Sequence, residues 1–148
     1  MKRVLAVASA GGHWEQMMLL RDVLSEHDVH FATTVTDAPA KAGIADVTIL
    51  PDCNKDRWLD SLRCLFAAAA LVLRRRPDVV LSTGAAPGFF CVMFGRLTGA
   101  RTLWIDSVAN AEQLSMCGKL SRRVANCTVT QWAHLAGEGG PKYAGSLL

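Results

Sequence analysis

The first 24 residues carry the pattern that most restricts how this chain can fold. An apolar run from Val4 to Ala8 ends in the sequence SAGGH at residues 9–13, and an amphipathic run from Trp14 to Leu24 follows. This order predicts a strand, a glycine-rich turn and a helix. Such a turn points free backbone N–H groups and the positive end of the helix dipole at one spot, which suits an anion such as phosphate. The alternative is a tight turn that binds nothing.

The same alternation of strand and helix patterns continues along the chain. Residues 3–8, 29–34, 47–50, 78–82, 102–105 and 127–131 are predicted as strands, and residues 13–26, 58–75, 89–97 and 119–124 as helices. Turns are predicted at residues 37–39 and 84–88, and Asn54 or Asp56 is predicted to cap the long helix. Parallel neighbours need crossover helices, so the pattern predicts an α/β fold. We expect one Rossmann-like domain over residues 1–148, with a doubly wound parallel sheet of about six strands in the order 3-2-1-4-5-6.

Composition narrows the classes of function. The formal charge of +3 is small and no block of Lys or Arg is interleaved with aromatic residues, so nucleic acid is not an expected partner. The five cysteines form no CxxC pair, which argues against a metal site or disulfide framework and favours reduced thiols. No signal peptide is recognisable, and the longest apolar run, Cys64 to Leu73, is shorter than the ~20 residues of a membrane-spanning helix. We therefore expect a cytoplasmic chain that does not cross a membrane and needs no metal or cofactor.

Three turns are predicted to meet at one crevice. In the order 3-2-1-4-5-6, strands one and four are neighbours, and ligands bind beyond their carboxyl ends. This places residues 9–13 beside residues 82–84, and the polar stretch 106–110 opens onto the same edge. His13 begins the helix that faces the crevice, where the helix dipole favours the neutral imidazole of a general base. A helix-starting histidine without a role is the alternative for His13, and a turn cap is the alternative for Asp106.

Two apolar stretches raise the question of a membrane surface. The predicted helix at residues 58–75 is apolar almost all round its second half and leads into Arg74, Arg75 and Arg76. It is either a core helix that ends in solvated arginines or a patch that rests on an anionic bilayer with its basic residues among the headgroups. Phe89 and Phe90, which follow the second glycine-rich turn, raise the same choice.

Four short motifs resemble those of a known family. They are SAGGH at residues 9–13, RPDVVLSTG at 76–84, IDS at 105–107 and LSMCGKL at 114–120. Together they are similar to the acceptor-binding subunit of split glycosyltransferases. That family includes the membrane-associated partner in the GlcNAc transferase of dolichol-linked oligosaccharide assembly and its bacterial capsule and exopolysaccharide counterparts. More distantly, the Gly-Gly-His turn resembles the N-terminal half of the lipid II-forming GlcNAc transferase of peptidoglycan assembly.

The resemblance implies a GT-B enzyme divided between two chains. This chain would form the N-terminal half and take a polyprenyl-diphosphate-linked saccharide at the inner face of the plasma membrane, as a peripheral protein. A separate donor-binding catalytic subunit would supply the UDP-sugar, so the chain alone would be inactive. By the same resemblance, His13 would be the base and Asp106 would position the acceptor sugar or orient the base. The family more often has Glu where Asp106 stands, so the carboxylate is kept on a shorter side chain.

The resemblance also assigns the remaining site residues. The acceptor diphosphate would be held by Ser9, Gly11, Gly12, Ser82, Thr83 and Gly84. Ser107 and Asn110 would position the acceptor sugar. The tail that contains Tyr143, Leu147 and Leu148 would dock the donor-binding subunit, and an exposed apolar tail favours a partner in any case.

Two other functions stay open from the sequence. One is a self-contained nucleotide- or dinucleotide-binding protein, although residues 9–13 do not fit GxGxxG and no GxxxxGK[ST] motif occurs. The other is a non-catalytic scaffold that brings the donor-binding subunit to the bilayer. Replacement of His13 separates the scaffold from the enzyme, because a scaffold does not need a base.

Overall fold

The computed structural model describes residues 1–53 and 56–148. Its strands are β1 (Arg3–Ala8), β2 (Asp28–Thr33), β3 (Val47–Ile49), β4 (Val79–Gly84), β5 (Arg101–Ile105), β6 (Cys127–Thr130) and β7 (Lys142–Tyr143). Its helices are α1 (Gly12–Leu19), α2 (Arg21–Leu24), α3 (Asp37–Lys41), α4 (Trp58–Arg75), α5 (Ala85–Leu97) and α6 (Met116–Val124), with a 3₁₀ turn at Ala133–Leu135.

The strands form one sheet in the order β3-β2-β1-β4-β5-β6-β7, and every neighbouring pair is parallel. The predicted fold class and the order of the first six strands are therefore confirmed. β7 was not predicted, because a strand of two residues is too short to show alternation. It pairs with β6 through Val129 opposite Lys142 and Thr130 opposite Tyr143, and so places the tail at the sheet edge.

The sheet is buried on both faces, as β1 shows. Leu5 and Val7 pack into one hydrophobic cluster with residues of α4 and α5, whereas Ala6 and Ala8 pack into a second cluster with Trp14 of α1. Successive side chains of a strand point to opposite faces, so β1 contributes to both cores in turn. β1 and β4 thus lie at the centre of a three-layer fold, and their carboxyl ends are held from both sides.

Two predicted elements differ from the structure on the α1 side of the sheet. The helix predicted at residues 13–26 is divided into α1 and α2, because the chain tightens at Leu20, whose N–H bonds Met17 O at 3.0 Å. The turn predicted at residues 37–39 is the short helix α3. Pro39 fits in its first turn, where a backbone N–H has no intrahelical partner to lose.

The second glycine-rich turn, predicted at residues 84–88, does not exist as a loop. β4 runs to Gly84 and α5 begins at Ala85, so Pro87 and Gly88 lie in the first turn of the helix. Proline is tolerated there for the same reason as in α3. The predicted cap of α4 also differs: the residue before the helix is Arg57, not Asp56, and Asn54 lies outside the described residues.

One face of α4 is apolar and exposed. Trp58 and Phe66 are each 69% exposed, and Leu62 and Leu73 lie on the same side at helical spacing. The opposite side packs into the core through Cys64, Ala68, Leu71 and Val72. Within the described ranges, no helix has the length and apolar character needed to traverse a bilayer. We refer to the exposed residues Trp58, Leu59, Leu62, Phe66 and Leu73 as the α4 stripe.

A buried histidine joins β2 and β3 to the end of α4. His30 Nδ1 lies 3.1 Å from Asp46 Oδ2, and His30 Nε2 lies 2.7 Å from Thr48 Oγ1. Arg75 donates to Asp46 Oδ1 at 3.4 Å. Burial lowers the pKa of His30, with the Asp46 carboxylate acting in the opposite direction. The neutral ring donates to Asp46 through Nδ1 and accepts from the Thr48 hydroxyl at Nε2.

We expect the free energy of unfolding to fall as the pH drops below about 6.5, because the unfolded chain protonates His30 more readily than the folded one. Urea unfolding at about pH 7.5 and about pH 5.5 measures this change. His30→Gln should reduce the loss of stability between the two pH values. His27→Gln serves as the control, since His27 is exposed. An equal pH dependence in both variants contradicts the assignment to His30.

Candidate functional site

A cleft of about 650 Å³ opens at the carboxyl ends of β1, β4 and β5. Its walls come from the first turns of α1, α5 and α6 and from the stretch that follows β5. They are lined by Gly12, His13, Cys53, Ser61, Ala85, Ala86, Ser107, Ala109, Asn110, Ser115, Met116 and Cys117. Among the described lining residues there is no Asp, Glu, Lys or Arg. Backbone N–H groups and the positive end of a helix dipole can bind an anion at such a place.

A β-bulge shapes the floor of the cleft. Val7 of β1 pairs with Ser82 of β4, but the next residue, Ala8, pairs with Gly84, so Thr83 is the extra residue. A bulge redirects the backbone at the point where it occurs. Here the groups of Thr83 engage α1: its carbonyl contacts His13, and its Oγ1 donates to the His13 carbonyl at 2.7 Å.

The tautomer of His13 follows from a hydrogen bond at its ring. His13 Nδ1 lies 3.0 Å from the backbone carbonyl of Thr83. A carbonyl oxygen can only accept, so Nδ1 carries the proton and, in the neutral ring, Nε2 carries the lone pair. His13 lines the cleft and is partly exposed. Its ring is therefore held at one nitrogen and able to accept a proton at the other.

The backbone beside His13 leaves no room for a larger residue. Gly84 has φ of 151°, and a Cβ built on it would stand 2.1 Å from His13 Nδ1. Ala85 follows with φ of 65°, which is unfavourable for a residue with a Cβ. Strained backbone of this kind persists where the surrounding structure holds it, and it is concentrated at functional sites. The close approach of Gly84 fixes the position of the imidazole.

Asp106 supports the loop that forms the far wall. It is 1% exposed, and its carboxylate accepts hydrogen bonds from four donors. These are Trp104 Nε1 at 3.0 Å, Asn110 Nδ2 at 3.2 Å, Ser115 N at 2.9 Å and Ser115 Oγ at 2.6 Å. Gly118 packs against this carboxylate and leaves no room for a side chain, because a Cβ there would lie 2.5 Å from Asp106 Oδ1. Asp106 thus joins the end of β5 to the start of α6.

The predicted site residues divide into those that reach the cleft and those that lie beneath it. Gly12, His13, Ser107 and Asn110 line the cleft. Ser82 and Thr83 are fully buried and bonded internally, Ser82 Oγ accepting the Gly84 N–H at 3.2 Å. Ser9 and Gly84 are also buried, whereas Gly11 is exposed directly before α1 with φ of 71°.

Of the residues predicted to contact the membrane or the partner, some are exposed and others are half-buried. Phe89 and Phe90 are half-buried, pack against the core and contact each other, with ring centroids 6.0 Å apart. Arg74 and Arg76 are exposed, whereas Arg75 is half-buried and paired with Asp46. Tyr143 and Leu148 are exposed. Leu147 is half-buried against the hydrophobic cluster on the α1 face.

Ser115, Gln16 and Gln131 support the walls of the cleft and were not predicted from the sequence. Ser115 is the N-cap of α6, its Oγ accepting the Gly118 N–H at 2.9 Å, and a serine before a helical pattern is a signal that could have revealed it. Gln16 and Gln131 are buried and bonded to each other at 2.6 Å. No local pattern could have paired them, because 115 positions separate them along the chain.

The fold has a known architecture. An all-parallel, Rossmann-like sheet with its site at the carboxyl ends of β1 and β4 has the architecture of the N-terminal domain of a GT-B glycosyltransferase. MurG of Acinetobacter baumannii superposes with a TM-score of 0.78 at 16% identity, covering 97% of this chain and 46% of that one. UDP-N-acetylglucosamine 2-epimerase of Rickettsia bellii superposes with a TM-score of 0.76 at 10% identity, covering 99% and 45%. This chain spans slightly less than half of each solved structure, and likeness at such identities shows the fold alone.

Sequence comparison identifies the family. The chain belongs to the family of Alg14-like oligosaccharide biosynthesis proteins, whose model matches residues 54–147. It is 27% identical over 183 aligned positions to a mouse protein described as UDP-N-acetylglucosamine transferase subunit ALG14, covering 99% of this chain and 83% of the relative. The resemblance inferred from the sequence motifs is confirmed at the level of the family.

Proposed function

We propose that this chain is the acceptor-binding subunit of a two-chain UDP-GlcNAc transferase. The acceptor is a polyprenyl-diphosphate-linked saccharide on its way to a surface or exported polysaccharide, at the cytoplasmic face of a membrane. Membership of the Alg14-like family supports the proposal, as does the description of the mouse relative as a subunit of a UDP-N-acetylglucosamine transferase. The observation that carries it is His13, which lines the cleft with Nδ1 bonded to the Thr83 carbonyl and Nε2 left to accept a proton.

The first turn of α1 is the proposed diphosphate site. The N–H groups of Gly12 and His13 have no intrahelical partner, because the first helical bond runs from Glu15 N to Gly11 O at 3.1 Å. They and the helix dipole attract an anion without a cationic side chain. Ser9, Ser82, Thr83 and Gly84 are buried and Gly11 precedes the helix, so these residues are proposed to shape the turn rather than to bind the diphosphate through their side chains. Thr83 supports the turn through its two hydrogen bonds with His13. An anchored acceptor reacts as if at high local concentration, which contributes up to ~7–11 kcal/mol in ideal cases.

His13 is the proposed general base. Nε2 takes the proton of the acceptor-sugar hydroxyl while that oxygen attacks the anomeric carbon of the donor sugar. The bond from the anomeric carbon to the UDP oxygen breaks, and UDP leaves with the electron pair. Nδ1 stays bonded to the Thr83 carbonyl, which stabilises the imidazolium that forms. Asp106 acts through its loop, because its bonds fix Asn110 and the start of α6 around the acceptor sugar.

The donor-binding subunit is proposed to dock on the tail. Tyr143 and Leu148 are exposed beside the sheet edge, while Leu147 is half-buried and anchors the segment to this chain. Exposed apolar side chains on an anchored segment suit a protein partner. The UDP-sugar would then bind to the partner and face the acceptor across the cleft.

The α4 stripe is the proposed membrane contact. Phe89 and Phe90 are half-buried against the core, so we propose that the α4 stripe contacts the bilayer instead. Arg74 and Arg76 are exposed at the end of the same helix. Aromatic side chains on one face of a helix and basic residues beside them suit an anionic bilayer surface. Ser61, which lines the cleft, lies within the first turns of α4, so the stripe begins next to the acceptor site.

Replacing both Trp58 and Phe66 by serine should weaken binding to phosphatidylglycerol vesicles at least about tenfold, because two exposed aromatic side chains lose their apolar contact. Sedimentation of the chain with vesicles measures this. Val23→Ser is the matched control, since Val23 is 70% exposed but lies on α2, on the α1 side of the sheet. An equal loss of vesicle binding in both variants would mean that any exposed apolar side chain contributes to binding. That result would contradict the proposal that the α4 stripe faces the bilayer.

The decisive experiment is reconstitution. The chain is co-expressed with a donor-binding subunit from the same organism, and transfer from labelled UDP-GlcNAc to a polyprenyl-diphosphate-linked acceptor is measured for each chain and for both. We expect transfer only with both chains. Transfer by this chain alone contradicts the two-chain proposal. Absence of transfer from any UDP-sugar, together with tight binding of a dinucleotide to the isolated chain, supports the nucleotide-binding alternative.

A further inference from the structure

A pair of buried amides connects the tail to the acceptor cleft. Gln16 of α1 is 5% exposed and Gln131, which follows β6, is 4% exposed. Gln131 Nε2 donates to Gln16 Oε1 at 2.6 Å. A buried amide group without hydrogen-bond partners destabilises the folded state. The other partners of Gln16 and Gln131 therefore show which parts of the protein the pair connects.

Gln16 joins two walls of the cleft. Its Nε2 donates to the carbonyl of Gly12 at 3.2 Å and to Ser107 Oγ at 3.0 Å. Its Oε1 accepts the N–H of Val108 at 3.2 Å. Gly12 opens α1, where the diphosphate is proposed to bind, and Ser107 and Val108 belong to the wall after β5. One side chain therefore sets the separation of these two walls.

Gln131 joins the same wall to the tail. Its Nε2 also donates to the carbonyl of Asp106 at 3.0 Å. Its Oε1 accepts the N–H of Leu147 at 2.9 Å and the hydroxyl of Ser146 at 3.3 Å. The next residue, Leu148, is 79% exposed. An exposed apolar side chain therefore lies one residue beyond the bond that Gln131 makes to the tail.

Only one orientation of the two amides satisfies the groups at both ends. The N–H of Leu147 can only donate, so the oxygen of Gln131 faces the tail and its nitrogen faces Gln16. The carbonyl of Gly12 can only accept, so the nitrogen of Gln16 faces α1 and its oxygen faces Gln131. Chains of hydrogen bonds in a low dielectric reinforce one another. Loss of the tail bonds leaves the buried Gln131 Oε1 without these partners, and the Gln131 amide is then oriented only by its bonds to the Asp106 carbonyl and to Gln16.

We propose that Gln131 and Gln16 are positioning residues that transmit the seating of residues 146–148 to the acceptor site. With the tail seated, both amides are saturated and the walls at Gly12 and Ser107 are held at a fixed separation. With the tail displaced, Gln131 Oε1 loses both of its partners, and the support that Gln131 gives to Gln16 and to the wall after β5 weakens. A protein that packs on the exposed Leu148 therefore acts on the acceptor site. This inference rests on the proposed function where it calls the cleft an acceptor site. The hydrogen-bonded connection from the tail to the cleft does not depend on that function.

The connection is tested in the full chain by two-dimensional amide NMR. Leu147→Pro removes the donating N–H from the tail, and the amide signals of Gly12 and Val108 should shift although the change is remote in sequence. Leu148→Pro is the matched control, because its N–H bonds Ser146 Oγ at 3.3 Å instead of Gln131. Unchanged signals of Gly12 and Val108 in Leu147→Pro, or equal shifts in both variants, overturn the connection. This outcome is independent of any ligand.

The effect on the site is tested with inorganic pyrophosphate as the probe. Gln131→Met keeps the length of the side chain and removes its polar atoms, and we expect pyrophosphate affinity to fall about fivefold to tenfold. Thr128→Val is the control: Thr128 is buried on the same part of the sheet, and its hydroxyl has no partner among the residues the structure describes. In the two-chain enzyme, Gln131→Met should raise the KM for the acceptor and leave the KM for the UDP-sugar unchanged.

The outcomes separate the two proposals. If wild type does not bind pyrophosphate while Leu147→Pro still shifts Gly12, the connection stands and the proposed diphosphate site fails. If wild type binds pyrophosphate and Gln131→Met binds it equally well, the positioning role is overturned and the proposed function is untouched. Should Gln131→Met fail to fold, Leu147→Pro carries the affinity measurement, with the same expected loss.

Discussion

His13→Asn should reduce the kcat of sugar transfer by the two-chain enzyme about 10²–10⁴-fold, which is the usual contribution of a general base. The Nδ2 of asparagine occupies the place of the imidazole Nδ1, so the hydrogen bond to the Thr83 carbonyl, 3.0 Å long in the wild type, is retained. The substitution removes the outer part of the ring, Cε1 and Nε2, and with it the nitrogen that accepts the proton. Steady-state kinetics of the reconstituted pair, with acceptor and UDP-sugar varied separately, measures the effect.

The kinetic pattern identifies the role of His13. A fall in kcat with little change in the acceptor KM supports the base. A raised acceptor KM with kcat preserved makes His13 a ligand of the diphosphate instead. Full activity of His13→Asn contradicts both and leaves the scaffold function. Copurification of the variant with the donor-binding subunit shows that the complex itself is intact.

Gly84→Ala should abolish most of the activity, by about 10²-fold or more, because misplacing a catalytic group by about 1 Å has this order of effect. The added Cβ would lie 2.1 Å from His13 Nδ1 and 2.3 Å from His13 Cε1, so the imidazole has to move. The backbone conformation adds strain, since φ of 151° at this residue favours glycine. We expect a loss of about 1–3 kcal/mol in the free energy of unfolding, measured in urea.

Gly99→Ala separates strain from the collision with His13. Gly99 has φ of 90°, and a Cβ there would meet nothing within 4 Å. This variant should lose stability to a similar degree and retain the activity of the wild type. If both variants are equally inactive, the loss arises from stability, and the argument that Gly84 fixes the imidazole is wrong.

Much of the fold follows from local pattern. The apolar runs predict five strands to within one residue at each end, and both ends of α4, Trp58–Arg75, are predicted correctly. The end of β4 was missed because its last residues are set by pairing with β1: Gly84 pairs with Ala8 across the bulge at Thr83. A contact between strands that are distant in sequence leaves no local signal.

The candidate site was predicted less completely than the fold. The position of His13 at the start of α1 follows from the turn that precedes it. Its tautomer does not, because the carbonyl that fixes it belongs to Thr83, 70 positions away. Asp106 was selected for its place at a strand end, and only the structure shows that both of its oxygens are used by neighbouring groups.

The sequence by itself determined the alternation of strands and helices, the parallel sheet and the turn that begins α1, because each depends on the periodicity of neighbouring residues. The tertiary structure decided which buried polar groups meet. Gln16 and Gln131 look like ordinary glutamines in the chain, yet folding places them 2.6 Å apart under the cleft. It also decided that the apolar stripe on α4 is exposed while Phe89 and Phe90 are half-covered. The physical reason is that hydrophobicity fixes what can be buried, whereas packing between elements distant in sequence decides what is buried and against which partner.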